Sequence, residues 1–165
     1  MNSFSFSVPQ NIIVEKGGLA KLPEVAKELG GTKAFIISGP HLNKMGIVGK
    51  CIEALEAKGI KATAYTDTEG NPSVETVEKA TESFKESDSD FIIALGGGSP
   101  MDVAKAVGVV AKYGGSITDY EGGGKVPGDI IPLIAVPTTA GTGSEVTAFS
   151  VITDHSRNYK LTVFS

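Results

Sequence analysis

Two stretches of this sequence hold residues suited to gripping a phosphorylated ligand. The first, Gly96-Gly97-Gly98-Ser99-Pro100-Met101-Asp102, directly follows the apolar run Phe91-Ile92-Ile93-Ala94-Leu95. Adjacent glycines let a backbone pass close to a bulky anion without Cβ clashes. Behind them, Ser99 suits a helix N-cap, Pro100 the first helical position and Asp102 the third, where its carboxylate closes a capping box. A helix starting there presents free N–H groups and the positive end of its dipole, which together make an anion site. A plain strand-to-helix turn needs fewer glycines, so this one reads as a phosphate cradle.

The second stretch is Pro137-Thr138-Thr139-Ala140-Gly141-Thr142-Gly143-Ser144-Glu145, which follows an apolar segment ending at Val136. Alone it reads as a Ser/Thr-rich turn. Beside the first stretch, its hydroxyls and small residues can line a nucleotide without blocking it. Thr142 and Glu145 have capping-box spacing, so a short helix is expected there. Neither stretch is the usual dinucleotide fingerprint, because Met101 and Val146 stand where its third glycine belongs. Gly122-Gly123-Gly124-Lys125 is no P-loop either, with Val126 in place of the required Ser/Thr and Asp119 in place of the first glycine. It reads as a flexible connection.

The elements that must position these stretches alternate. Short apolar runs at Ala34–Ser38, Phe91–Leu95 and Ile131–Val136 suit buried parallel strands, and Lys61–Thr66 is a further strand. Between them lie helical patterns at Leu19–Leu29, Asn43–Lys58, Ser73–Glu86 and Pro100–Lys112. Such alternation predicts an α/β, doubly wound, mostly parallel Rossmann-like sheet, with functional loops after Ser38, Thr66, Leu95 and Val136. The alternating Ser3–Val8 and the short run Asn11–Glu15 predict an N-terminal β-hairpin. Val151–Thr153 and Lys160–Phe164 predict a second hairpin, with the turn at Asp154–Asn158.

Composition narrows the function. The 165 residues are 41% apolar and 21% charged, with a net charge of −4, which argues against a nucleic-acid partner. No apolar run reaches membrane-spanning length, and Met1–Pro9 lacks the basic and apolar regions of a signal peptide, so a cytoplasmic protein is expected. The single cysteine, Cys51, sits among helix formers and reads as a buried, inert thiol. The two histidines, His41 and His155, have no partner at ligand spacing and read as non-ligands.

Taken together, Gly-Gly-Gly-Ser-Pro-x-Asp-x-x-Lys-Ala from Gly96 to Ala106 and Pro-Thr-Thr-Ala-Gly-Thr-Gly-Ser-Glu-Val-Thr from Pro137 to Thr147 resemble the iron-containing (group III) alcohol dehydrogenases. Asn71-Pro72-Ser73 and Val151-Ile152-Thr153-Asp154 extend the resemblance along the chain. It implies a dehydroquinate-synthase-like cofactor domain spanning 1–165 and hydride transfer between NAD or NADP and a small aldehyde or alcohol. It implies that the turn from Gly96, Gly97 and Gly98 to Ser99, with Asp102, holds the pyrophosphate. Thr138, Thr139 and Thr142 then approach the adenosine side, while Asn71, Phe149 and Lys160 line the cofactor cleft, with Lys160 as the only cation near these motifs. The family metal, Fe2+ or sometimes Zn2+, is implied to sit on one Asp and three His of a helical domain beyond Ser165. Homodimers pairing N-terminal strands are implied too, here through Met1–Glu15. Many NAD-using members carry Asp in the loop after the first parallel strand, where this chain has Gly39, so no carboxylate of that loop excludes NADP. Alternatives are a metal-free relative such as a maleylacetate reductase, or a stand-alone nucleotide-binding or scaffold domain.

Overall fold

A computed structural model describes residues 10–164. Its main sheet holds β1 (Lys33–Ser38), β2 (Lys61–Tyr65), β3 (Phe91–Gly96) and β5 (Leu133–Pro137) in the order β2-β1-β3-β5, every pairing parallel. Helices α1 (Leu22–Glu28) and α3 (Ile47–Glu56) cover one face, α4 (Val74–Ser87) and α5 (Gly98–Tyr113) the other. The central strands show why. Phe35, Ile37, Ile92 and Ala94 join the core under α4 and α5, whereas Ala34, Ile36, Phe91, Ile93 and Leu95 join the core under α1 and α3. A strand buried on both faces has no polar side to alternate with, hence the continuous apolar runs.

A second, smaller sheet packs beyond α4 and α5. The hairpin β6 (Phe149–Asp154) and β7 (Tyr159–Phe164) forms as expected and buries Ile152, Leu161 and Val163 in the same core as α5. Gly122-Gly123 is not a loose connection. It forms β4, parallel to β7, with Gly122 opposite Val163 and Gly123 opposite Phe164. The Thr153 N–H donates to the Pro72 carbonyl oxygen at 2.8 Å, tying the hairpin to the loop before α4.

Several sequence expectations are corrected. The helix expected over Asn43–Lys58 is broken at Gly46, whose φ of 74° only glycine adopts freely, leaving α2 (Pro40–Lys44) and α3. Leu19–Leu29 divides into a 3-10 turn over Gly18–Lys21 and α1. Asn11–Glu15 is not a strand, since no described neighbour supplies it a ladder. Its last carbonyl instead accepts the Gly18 N–H at 3.2 Å, closing a turn. The Ser3–Val8 arm lies outside the described residues. Cys51 is buried, and burial pushes its thiol above the ordinary range, as suits an inert side chain.

Candidate functional site

The loops after β1, β2, β3 and β5 gather at the carboxyl edge of the parallel sheet, where such folds bind ligands. A cleft of about 330 Å³ opens there, and Gly39, Thr68, Glu69, Gly96, Gly97 and Thr138 are among its lining. A larger, mainly apolar hollow of about 880 Å³ runs along β5 beside Ile12 and Val109, and none of the glycines of the 96–98 turn lines it.

The turn after β3 differs in detail from the expected cap. Helix α5 begins at Gly98 with Gly97 as its N-cap, no side chain capping it, so Ser99 and Pro100 lie inside the first turn. Proline is harmless there because first-turn N–H groups have no intrahelical acceptor to lose. The expected capping box between Ser99 and Asp102 is absent. Without a capping side chain, the start of α5 keeps its N–H groups for a ligand.

The two stretches meet across this edge. A Cβ built on Gly97 would lie 3.2 Å from Thr139 Oγ1, and one on Gly98 3.4 Å from the Thr142 side chain. Gly96 has φ 147°, a conformation L side chains rarely adopt, and a Cβ there would meet Pro100 at 2.8 Å. Its carbonyl oxygen accepts the Thr138 N–H at 2.9 Å, which locks the two loops together. A helix start lined by glycines and faced by threonine hydroxyls fits a dinucleotide pyrophosphate.

Other expected residues separate into two groups. Asn71 and Lys160 come together, Lys160 Nζ donating to Asn71 Oδ1 at 2.7 Å on the wall that continues from Glu69 and Gly70. Phe149 is half-exposed on β6 and tilts against Phe164, with ring centroids 5.2 Å apart. Asp102 takes another course. Its Oδ1 accepts the Ser144 hydroxyl at 2.7 Å, and its backbone carbonyl accepts the Ser150 hydroxyl at 2.8 Å. Burial raises the Asp102 carboxyl above its usual range, against the opposing pull of Ser144, the Val151 N–H and Lys105.

Lys160 is not the only cation near the motifs. Lys105 of α5 donates to the Ser144 carbonyl and hydroxyl and to the Phe149 carbonyl, and burial lowers its pKa against the pull of Asp102 and Glu145. The expected capping box at Thr142 and Glu145 becomes a 3-10 turn, Ser144–Val146, with the Ser144 N–H 3.4 Å from Thr142 Oγ1. Glu145 Oε2 is buried without a hydrogen-bond partner among the described residues, facing the charge of Lys105 instead.

Sequence reasoning missed Glu69 altogether. Its carboxylate accepts from the Ser73 N–H at 2.9 Å and from the Thr76 hydroxyl at 2.7 Å. The signal was present, since an acid four residues before the N-cap Ser73 of α4 can fold back on the helix start. Among the described residues no three His, Cys, Asp or Glu side chains come together to hold a metal ion, so these residues do not fit one. His41 lines the cleft alone, and His155 lies in the turn of the β6–β7 hairpin.

Comparison with known proteins agrees with this architecture. The family model for iron-containing alcohol dehydrogenase matches residues 9–165. The chain is 41% identical to a choline dehydrogenase of Bacillus subtilis over 94% of its own length and 40% of that protein's. It is 38% identical to an NADPH-dependent butanol dehydrogenase of Clostridium saccharobutylicum, again over 94% of its length and 40% of the relative's. The crystal structure of sulfoacetaldehyde reductase from Bifidobacterium kashiwanohense in complex with NAD+ superposes with a TM-score of 0.93 at 34% identity, covering 100% of this chain and 44% of that one. The chain thus spans well under half the length of the relatives it matches.

Proposed function

This chain belongs to the iron-containing alcohol dehydrogenase family, and we propose that it is the cofactor-holding half of an NAD(P)-dependent alcohol dehydrogenase or aldehyde reductase. The reaction is reversible hydride transfer between the dinucleotide and a small aldehyde or alcohol. One observation carries this reading: at the start of α5, Gly97 faces Thr139 Oγ1 so closely that a Cβ would make the threonine give way, and Gly98 packs in contact distance of Thr142. Relatives that use NAD+ or NADPH support it.

In this reading residues 1–165 act as one domain. The first-turn N–H groups of α5, with Gly96, Gly97, Gly98 and Ser99, hold the pyrophosphate. Thr138, Thr139 and Thr142 flank the adenosine side, and Asn71, Phe149 and Lys160 line the rest of the cofactor cleft. Asp102 serves from behind, fixing Ser144 and so the hydroxyl loop. The bound dinucleotide supplies the hydride. The protein's contribution is to orient it and keep water from one face. The family metal, Fe2+ or Zn2+, finds no donor set among the described residues. A homodimer built partly through residues up to Glu15 belongs to the same proposal, supported by the exposure of Ile12, Ile13 and Val14. So does a cytoplasmic location, in keeping with the acidic, single-cysteine composition.

The test is direct titration of NADH and NADPH, followed by fluorescence, into the protein and its Gly97→Val variant. Saturable binding that the variant loses is the expected result. Equal affinity in both, with folding intact, rejects the site.

A further inference from the structure

The loop after β1 offers Gly39 to the cleft, and a glycine cannot read a ribose through a side chain. The neighbouring loop can. Strands β1 and β2 are adjacent, and the Thr68 N–H donates to the Ser38 carbonyl oxygen at 3.3 Å, which draws the loop after β2 against Gly39. A Cβ on Gly39 would in fact lie 3.3 Å from the Thr68 carbonyl oxygen. The next residue, Glu69, lines the same cleft as Gly39, Gly96 and Gly97.

We propose that Glu69 selects NAD(H) over NADP(H), its Oε2 accepting from the adenosine ribose hydroxyls and its charge repelling a 2′-phosphate. This rests on the cofactor reading above. Three observations support it. First, the carboxylate is held in place. Oε1 accepts from the Ser73 N–H at 2.9 Å, the Ser73 hydroxyl at 3.0 Å and the Thr76 hydroxyl at 2.7 Å, whereas Oε2 shares only that Thr76 hydroxyl, at 2.7 Å. A carboxylate oxygen accepts about two hydrogen bonds, so Oε2 keeps acceptor capacity for a ligand.

Second, the group is ionised. Burial pushes its carboxyl upward, but the donors Thr76 and Ser73 outweigh burial and hold it below the usual carboxylate range. Third, no cation among the described residues that line the cleft would compensate a phosphate. The described lining of the cleft includes no lysine or arginine, and its one other titratable side chain is His41. Asn71, two residues on, already occupies Lys160. In dinucleotide-binding sheets an acidic residue at the end of the strand beside the glycine turn commonly takes the ribose hydroxyls. That strand here is β1, whose loop offers only Gly39, and Glu69 reaches the same cleft from the next strand, β2. Capping alone does not account for Glu69, because the hydroxyl of Ser73 already accepts the Thr76 N–H at the start of α4.

The experiment is a set of equilibrium titrations with NADH, NADPH, ADP-ribose and 2′-phospho-ADP-ribose, on wild type, Glu69→Gln, Glu69→Ala and Gly97→Val. We expect wild type to prefer the unphosphorylated member of each pair. Glu69→Gln, which keeps the size and one acceptor, should move the ratio toward the phosphorylated member on the order of tenfold, as one charge–charge term at a part-exposed site allows. The wild-type preference should also shrink at high salt. An unchanged ratio in both Glu69 variants, equal loss of both ligands, or a wild-type preference for NADPH overturns the proposal. A wild type that binds none of the four, or a Gly97→Val variant that binds like wild type, rejects the cofactor site itself, and this proposal with it.

Discussion

Lys105 Nζ donates to the Ser144 carbonyl oxygen at 2.5 Å, so a part-buried cation on α5 holds the loop that faces the glycine turn. The same ammonium reaches the Ser144 hydroxyl at 3.0 Å and the Phe149 carbonyl at 2.8 Å. One helical turn, from Asp102 to Lys105, therefore binds the segment between the hydroxyl loop and β6. Lys105→Met would leave those acceptors unpaired and Asp102 with no cation beside it. We expect a loss of about 1–2 kcal/mol in urea unfolding, discounted for partial exposure, together with weaker dinucleotide binding. Unfolding midpoints and affinities equal to wild type would show that the contact does not position the loop.

Gly97→Val tests the cradle. The backbone at Gly97 has φ −83°, which valine tolerates, so the backbone itself adds no strain. The new side chain would press on Thr139 Oγ1, 3.2 Å from its Cβ, and intrude on the cleft. Overpacking of this kind costs about 1–3 kcal/mol; the share of that cost borne only by the bound dinucleotide lowers affinity by up to about a hundredfold. The measurement is NADH titration beside a thermal melt, with a melt lowered by only a few degrees and a strongly weakened titration as the expected pair.

Much of this was legible in the sequence, for a reason visible in β1 and β3. Strands covered on both faces show no alternation, so Phe35-Ile36-Ile37 and Phe91-Ile92-Ile93 announced a parallel sheet and the edge where its loops collect. What escaped depended on direction or on distant partners. Ser99 looked like an N-cap, but the backbone turns helical one residue after Gly97, a choice composition does not record. Lys105 was hidden by its motif, since its acceptors lie 39 and 44 positions away. Glu69 sits in a polar loop whose nearness to Gly39 follows from strand order, β2 beside β1, and not from spacing.

Gly39→Asp should strengthen discrimination against NADP. The backbone at Gly39 is extended, with φ −98°, so aspartate fits the conformation, although its Cβ at 3.3 Å from the Thr68 carbonyl requires a small shift. A second carboxylate beside Glu69 adds repulsion toward a 2′-phosphate and an acceptor for ribose hydroxyls. The expected result is an NADH-to-NADPH affinity ratio raised by about tenfold over wild type. A ratio that falls or stays put would mean the adenosine ribose lies elsewhere.

The hairpin that carries Lys160 should show an acid limb. Asp154 accepts from the Ser156 hydroxyl at 2.6 Å and from Arg157 Nε at 2.5 Å, and these bonds lower its pKa from 3.8 to about 2. The unfolded chain therefore takes up this proton first as pH falls. The stabilisation is fully present above the unfolded value, and is lost as pH drops from about 4 toward about 2. Asp154→Asn should remove that share of the pH dependence and leave neutral-pH cofactor binding in place. Parallel stability-against-pH curves for wild type and variant, between pH 4 and pH 2, would contradict it.

Assayed by itself, the 165-residue chain should hold a dinucleotide weakly and turn nothing over. Hydride transfer to an unactivated carbonyl needs stabilisation of the developing alkoxide, commonly several kcal/mol when a metal supplies it. Among the described residues no cluster of three metal-binding side chains exists to recruit one. The two lysines near the motifs are already engaged, Lys105 with Ser144 and Phe149, Lys160 with Asn71. Neither is free to serve an oxyanion without breaking those contacts. The cleft is also open to solvent, so water would compete with a bound substrate. The decisive assay gives the chain NADH or NADPH, excess Fe2+ or Zn2+ and short aldehydes, and follows loss of reduced cofactor. Turnover at the rate of a full-length dehydrogenase would mean that Lys160 leaves Asn71 for the substrate, or that an acid within these residues protonates the alkoxide.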